Sequence, residues 1–385
     1  MDIGRQSIQP VFFLMEDIIV KRTLIFTLII VSVLVSTSDI FAQGEAAVPF
    51  LQITPGARNG GMGEAGVALA NDANAIFWNP AGLAFQYENP EVDKRNEITL
   101  MHSKWLPQFN FSDLFYDYLA ARFYVGDLGM LGGSITYLNL GKNVWTDETG
   151  AELGTFDSNE YAVTLSYATK LQSNLGFGIN TKLIQSNLTN VSVGAENQDG
   201  KATTFAVDLG LLWVPAYDIL RNRLSLGFNL SNFGPKITYI DKAQADPLPT
   251  NLRLGLAAVA LDDGFNKVTV VYDLNRLLVY RDKESGKPDG VFEAVFYSSW
   301  VKGDLNERVR KFTHALGVEY NYGSLIALRT GYFYEDPSYG ARKFITFGGG
   351  LGYNIFSIDF SYIWTWADED HPLADTMRFS IGVKF

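Results

Sequence analysis

The last nine residues end the chain on a strict two-residue alternation. Met377, Phe379, Ile381, Val383 and Phe385 are apolar, and Arg378, Ser380, Gly382 and Lys384 lie between them. Side chains alternate across a strand, so this is one strand with an oily face and a polar face. The pattern recurs upstream. Tyr161, Val163, Leu165 and Tyr167 alternate with Ala162, Thr164 and Ser166; Phe205, Val207, Leu209, Leu211 and Trp213 enclose Ala206, Asp208 and Gly210; and Phe356, Ile358, Phe360, Tyr362 and Trp364 enclose Ser357, Asp359 and Ser361. A helix cannot place period-two residues on one face, so these stretches are strands. Beyond residue 42 no apolar run is long enough to cross a bilayer as a helix, so any crossing has to be made by a closed barrel of strands.

Composition fits that reading without forcing it. Of 385 residues, 47% are hydrophobic, 14% aromatic and 19% charged. A mean hydropathy of +0.03 is too polar for a bundle of membrane helices, whereas barrel strands hide their hydrophobicity in alternation. The net charge of -11 argues against nucleic-acid binding. The absence of cysteine excludes disulfides and thiolate metal sites.

The front of the chain reads as a targeting segment. Lys21 and Arg22 precede an uncharged stretch from Thr23 to Ser38 whose apolar core, Leu24 to Val35, is too short to span a bilayer. Residues 1–42 are expected to be a secretory signal peptide cut between Ala42 and Gln43, with Met15 an alternative start. Strands are expected near 95–104, 115–125, 129–141, 158–170, 174–188, 202–214, 222–232, 249–260, 266–275, 312–322, 324–335, 342–354, 355–365 and 375–385. Most even-numbered links are short, such as Gly126-Asp127-Leu128 and Tyr322-Gly323. The odd links are longer, including 142–157, 189–201, 233–248 and 276–311. Outer-membrane barrels have short periplasmic turns and long outer loops, so the parity puts both ends of the barrel in the periplasm. The expected fold is all-β: a transmembrane antiparallel β-barrel of about fourteen strands over 95–385, in the bacterial outer membrane.

Residues 43–94 do not alternate and are rich in Gly, Ala and Asn. Gly61-Met62-Gly63-Glu64-Ala65-Gly66 fits the G-x-G-x-x-G pattern, but no βαβ context surrounds it, so close backbone packing explains it better than a nucleotide. A barrel this wide cannot be filled by its own side chains, and this segment is expected to plug it. By strand parity Asp208, Arg253, Asp273, Glu319, Arg329, Asp359 and Arg378 point into the lumen, where they can pair with one another or with Arg58, Glu64 and Asp72 of the plug. Facing lipid at mid-depth, an Arg or Lys would cost roughly 2–4 kcal/mol. The long loop 276–311 carries Phe292, Phe296 and Trp300 at helical spacing, with Tyr297 beside them, and is a candidate partner-binding surface. Phe379 and Phe385 are candidates for an assembly signal. His102, His314 and His371 are far apart, and no catalytic motif is present, so neither enzyme activity, a metal nor a cofactor is expected. Asp368-Glu369-Asp370 reads as a solvated turn.

Several stretches resemble a known family. Val48-Pro49-Phe50-Leu51, Pro55-x-Ala57-Arg58, Gly61-Met62-Gly63-x-Ala65-Gly66 and Trp78-Asn79-Pro80-Ala81 resemble the plug signature of the FadL-type outer-membrane barrels, and more closely its PorV/PorQ branch. Gly317-Val318-Glu319-Tyr320, Arg329-x-Gly331-Tyr332 and His371-Pro372-Leu373-Ala374-Asp375 extend the resemblance towards the C-terminus. Gly82-Leu83 departs from the Lys-Tyr often found in that branch. The resemblance implies a FadL-like barrel of the type IX secretion system of Bacteroidota, a system tied to protein secretion and gliding. It implies binding to the C-terminal signal domain of cargo and shuttling of that cargo from the translocon barrel to the surface attachment complex. Two alternatives stay open: a FadL-like transporter of hydrophobic small molecules and a PorQ-type structural barrel. The implied partners are the translocon, cargo, attachment complex and outer-membrane lipid, with no nucleic acid.

Overall fold

The computed structural model describes residues 46–88, 94–109, 111, 113–147, 149–189, 200–215, 223–239, 244–282, 284–366 and 371–385. The expected signal segment, its cleavage point and the acidic run 368–370 lie outside the described residues.

The strands form one closed antiparallel barrel in which each pairs with its sequence neighbours and β1 closes on β14. They are β1 (Glu97–Lys104), β2 (Phe115–Tyr124), β3 (Met130–Thr146), β4 (Glu152–Gln172), β5 (Leu175–Thr189), β6 (Gly200–Trp213) and β7 (Leu224–Phe233). The second half comprises β8 (Asn251–Asp262), β9 (Asn266–Leu277), β10 (Phe312–Tyr322), β11 (Ile326–Tyr334), β12 (Lys343–Tyr353), β13 (Phe356–Trp364) and β14 (Met377–Lys384). The expected fold class and strand number are borne out. Closure leaves no open sheet edge at the seam, where Asn96 and Phe385 exchange two backbone hydrogen bonds of 2.9 and 3.0 Å.

The barrel is inside out relative to a soluble protein. Leu100, Leu165, Leu183, Leu328, Ile358 and Ile381 are exposed on the outer wall, while Thr164, Asn180, Asp208, Glu319 and Arg378 are buried inside. Aromatic residues mark both rims of the apolar band, where amphipathic rings sit at the lipid–water boundary. Near the long-loop end, the Tyr272 hydroxyl lies 2.7 Å from His314 Nδ1, and the His314 ring sits 6.2 Å from that of Tyr334. His314 is therefore an interfacial residue of the wall. Near the short-turn end stand Phe123, Phe265, Tyr322, Tyr353 and Phe356.

One loop is shorter than its expected range of 142–157. β3 continues to Thr146 and β4 starts at Glu152, with register shifts between Asn139 and Gly141 and between Trp145 and Thr146. Above the lipid both faces of this hairpin meet water, so apolar alternation stops although strand pairing does not. Asp147 closes the tip. Its Oδ1 accepts from the Thr149 hydroxyl, the Ala151 amide and the Thr149 amide, which together hold the carboxyl below its ordinary pKa.

Candidate functional site

Residues 46–88 lie within the barrel, built from single turns rather than long helices: Pro49–Gln52, Ala57–Gly60, Ala75–Trp78 and Pro80–Glu88. Phe50, Ala57, Met62, Ala65, Val67, Ala73, Ile76, Trp78 and Leu83 are all essentially inaccessible.

The inward charges of the wall meet this segment in three ways. The first is ion pairing. Arg58 forms two 2.8 Å bonds to Glu319, one to each carboxylate oxygen, and a 3.0 Å bond to Asp72. Arg329 donates to Glu319 at 2.7 Å and to Asp359 at 2.6 Å, so an alternating network runs across β10, β11 and β13. Glu319 and Asp72 together offset the cost of burying the Arg58 charge. Arg378 bonds Glu64 at 2.6 Å and the Thr54 hydroxyl at 3.3 Å.

The second way is capture of backbone. Asp273 Oδ2 accepts from the Gly66 and Val67 amides at 2.6 and 2.9 Å. Glu97 accepts from the Ala73 amide at 3.0 Å while paired with Arg122 at 2.9 Å. The third is ring contact: the Arg253 guanidinium lies 4.6 Å from the Phe77 ring centre and 5.4 Å from that of Trp78. Asp208 bonds within the wall, to Lys182 and Asn180.

Trp78-Asn79-Pro80-Ala81 sits against β5, β6 and β7. Asn79 Nδ2 donates to the carbonyls of Val67 and Leu211 at 3.0 and 2.9 Å, and its Oδ1 accepts from the Ala81 amide. The Trp78 carbonyl accepts from Asn229 at 2.9 Å, and the Ile76 carbonyl from Asn180 at 2.7 Å. A Cβ on Gly178 would stand 2.3 Å from the Ala81 nitrogen, and one on Gly210 would stand 2.3 Å from Asn79 Oδ1. The glycine motif faces another glycine wall. A Cβ on Gly331 would come within 2.0 Å of the Gly63 nitrogen, and one on Gly61 within 2.9 Å of the Gly348 Cα. Gly63 itself has φ 66°, which favours glycine.

The sequence reading missed Asn180, Lys182, Asn229, Glu97 and the wall glycines. The four polar residues are buried at inward positions, and glycine inside a strand marks close approach by another backbone. That signal was available in Gly178, Gly210 and Gly331. Among the described residues, a cavity of about 10 Å³ lies beside the segment between Phe50, Ile76 and Phe77 on one side and Tyr118, Thr136 and Lys182 on the other, room for about one water.

The loop between β9 and β10 is the other candidate site. It carries a helical run in three parts, Val291–Glu293, a π-helical Ala294–Ser298 and Ser299–Val301, followed by a helix at Leu305–Arg310. Phe292 and Phe296 stack at 6.4 Å and are 66% and 70% exposed, and Phe292 meets Phe233 of β7 edge-on at 5.1 Å. Tyr297 is also exposed. Trp300 does not share their face. The π turn takes more residues per turn than an α turn, so it rotates the next residues out of step. Trp300 turns inward: its Nε1 donates to the Val295 carbonyl at 2.7 Å, and the Arg276 guanidinium lies 4.5 Å from its ring centre. Arg276 also donates to the Ser299 carbonyl, and Arg308 to the Trp300 carbonyl at 2.6 Å.

On the last strand, Phe379 is 52% exposed and tilts against Phe360 at 5.1 Å, while Phe385 stands at the seam on the short-turn rim.

Among solved structures, the toluene transporter TodX of Pseudomonas putida is similar over 90% of this chain and 98% of its own, with a TM-score of 0.51 and 16% identity. A TodX deltaS2S3 mutant, described as a monoaromatic hydrocarbon channel, gives a TM-score of 0.50 and 14% identity over 85% of this chain and 97% of its own. These likenesses concern the fold alone, a closed β-barrel. No relative is found among curated proteins. The family described as type IX secretion system protein PorV matches residues 41–284. With that match over the whole N-terminal segment and more than half of the barrel, the chain belongs to the PorV family and is a β-barrel protein of the bacterial outer membrane.

Proposed function

We propose that this barrel serves type IX secretion by binding cargo through its C-terminal signal domain and passing it from the translocon barrel to the surface attachment complex. Residues 43–94 act as a plug that keeps the lumen closed meanwhile, and residues 1–42 as the cleaved export signal. The observation that carries the reading is the exposed pair Phe292 and Phe296 on a braced outer loop above a filled lumen. Functional contacts concentrate on loops carried by rigid scaffolds, and aromatics supply much of the energy at protein interfaces. Trp300 belongs to the brace, so Phe292 and Phe296, with Tyr297, are the contact residues.

A second reading has some support, because TodX is described as a toluene transporter and shares the fold. A conduit for hydrophobic molecules needs an apolar pocket by the plug, and the cavity of about 10 Å³ beside Phe50 and Ile76 would hold a water, not such a molecule. A PorQ-type structural barrel is the third. A deletion strain separates them. The shuttle reading expects type IX cargo to be lost from the cell surface and restored by the intact gene. Phe292→Ala with Phe296→Ala should lower surface cargo at least tenfold, about 1.4 kcal/mol or more of contact energy, with barrel levels unchanged. Retained cargo secretion beside lost uptake of a hydrophobic compound would sink the shuttle reading. Loss of other outer-membrane components instead would favour the structural barrel.

A further inference from the structure

We propose that the plug is threaded through the barrel with its N-terminal end at the outer mouth, open to the cell exterior and tied to the loops that carry the exposed aromatics. Short links mark the periplasmic end of the wall and long links the outer end. The two ends of segment 46–88 lie at opposite ends of that wall. The Ala47 amide donates to the Pro247 carbonyl at 3.0 Å, in the long link between β7 and β8. Val48, Phe50 and Leu51 share one buried apolar cluster with Ile237 and Leu248 of the same link. The Ile53 carbonyl accepts from Tyr116, where β2 starts from a long link. The Ala73 amide reaches Glu97 at the periplasmic start of β1. Phe85 lies under Lys170 beside the short β4–β5 turn, and Tyr87 stacks on Tyr124 beside the short β2–β3 turn. The segment therefore spans the lumen, from the long-link end at Ala47 to the short-turn end at Tyr87, before the chain enters β1.

The outer end of this strap joins the aromatic loop through the β7–β8 link. Lys236 donates to the Pro288 carbonyl at 2.5 Å, Arg281 pairs with Asp246 at 2.6 Å, and Phe233 meets Phe292. A partner seated on Phe292 and Phe296 thus pulls on the layer that holds Ala47. This coupling rests on the partner reading above, whereas the threading does not.

The chain has no cysteine, so Ala47→Cys, at a half-buried position, introduces a single thiol. The probe is a PEG-maleimide too large to pass general porins, applied to intact cells. Glu284→Cys in the outer loop and Asp127→Cys in the short β2–β3 turn serve as controls. The Ala47→Cys protein should label on intact cells, as Glu284→Cys does, while Asp127→Cys labels only after permeabilisation. Ala46→Cys replaces it if barrel levels fall. Labelling at both positions only after permeabilisation, or at neither under any condition while the controls behave, overturns the threading. Adding Lys236→Ala and Arg281→Ala should speed labelling several-fold, and an unchanged rate overturns the coupling. A deletion strain that still secretes cargo would remove the shuttle reading and leave the labelling result standing.

Discussion

Glu319 is the residue on which the plug's electrostatics turn. It is 2% exposed and takes Arg58 from the plug and Arg329 from the wall at once. Removing one charge from a buried network leaves its partners uncompensated, which costs about 3–5 kcal/mol. Glu319→Gln should therefore lower the temperature at which the purified barrel loses its fast-migrating folded form in detergent gels, and Arg58→Met with Glu319→Gln should recover part of that loss. Equal temperatures for Glu319→Gln and the parent would mean the pair contributes little. Gly331 tests packing instead of charge. A side chain there collides with the Gly63 backbone, so Gly331→Val should displace the plug and raise single-channel conductance in planar bilayers while the barrel still forms. Unchanged conductance would mean that the wall, not the plug, gives way.

At the scale of elements, what lipid imposes was legible and what water permits was not. Strands within the apolar band announced themselves because one face must be oily, and β10 ends where the alternation does, at Phe312 and Tyr322. The β3–β4 hairpin outgrew its expected ends because, above the membrane, nothing constrains its outer face. The inward charges were legible by parity, and so was pairing with the plug through Arg58 and Glu64, but the partners of Asp273 and Arg253 were not. Asp273 binds backbone amides and Arg253 faces rings, and neither choice is written in residue type. The aromatic loop shows the same limit. Spacing in sequence implied one face for Phe292, Phe296 and Trp300, and a π turn at Ala294–Ser298 separated them. Trp300 should accordingly act on the loop and not on a partner. Trp300→Ala removes its bond to Val295 and its stacking with Arg276, and should make the loop several-fold more sensitive to added protease on intact cells. Protease sensitivity like that of the parent, beside a loss of cargo as large as that of Phe292→Ala with Phe296→Ala, would return Trp300 to the contact surface.

The whole molecule depends on closing one seam around a threaded plug. Ala57 bonds Ser380 and Glu64 bonds Arg378, both on β14, so the N-terminal segment is engaged by the strand that closes the barrel on β1. β14 must also pair with β1 along its length, ending in the reciprocal Asn96–Phe385 bonds. Closure thus joins the first and last parts of the chain, contacts of high sequence separation that form slowly. Phe385 sits at that junction with its ring on the lipid side, in the periplasmic aromatic rim beside Phe356. Phe385→Ser keeps the backbone bonds but removes the ring from the interface, a loss of about 2 kcal/mol at most. For a folded barrel that is tolerable; for recognition of an unclosed strand it is large. The expected result is a several-fold drop in membrane-inserted barrel in cells, with near-parental heat resistance in whatever fraction does insert. Matched losses in both quantities would make Phe385 an interface anchor alone, and unchanged insertion would remove it from assembly altogether.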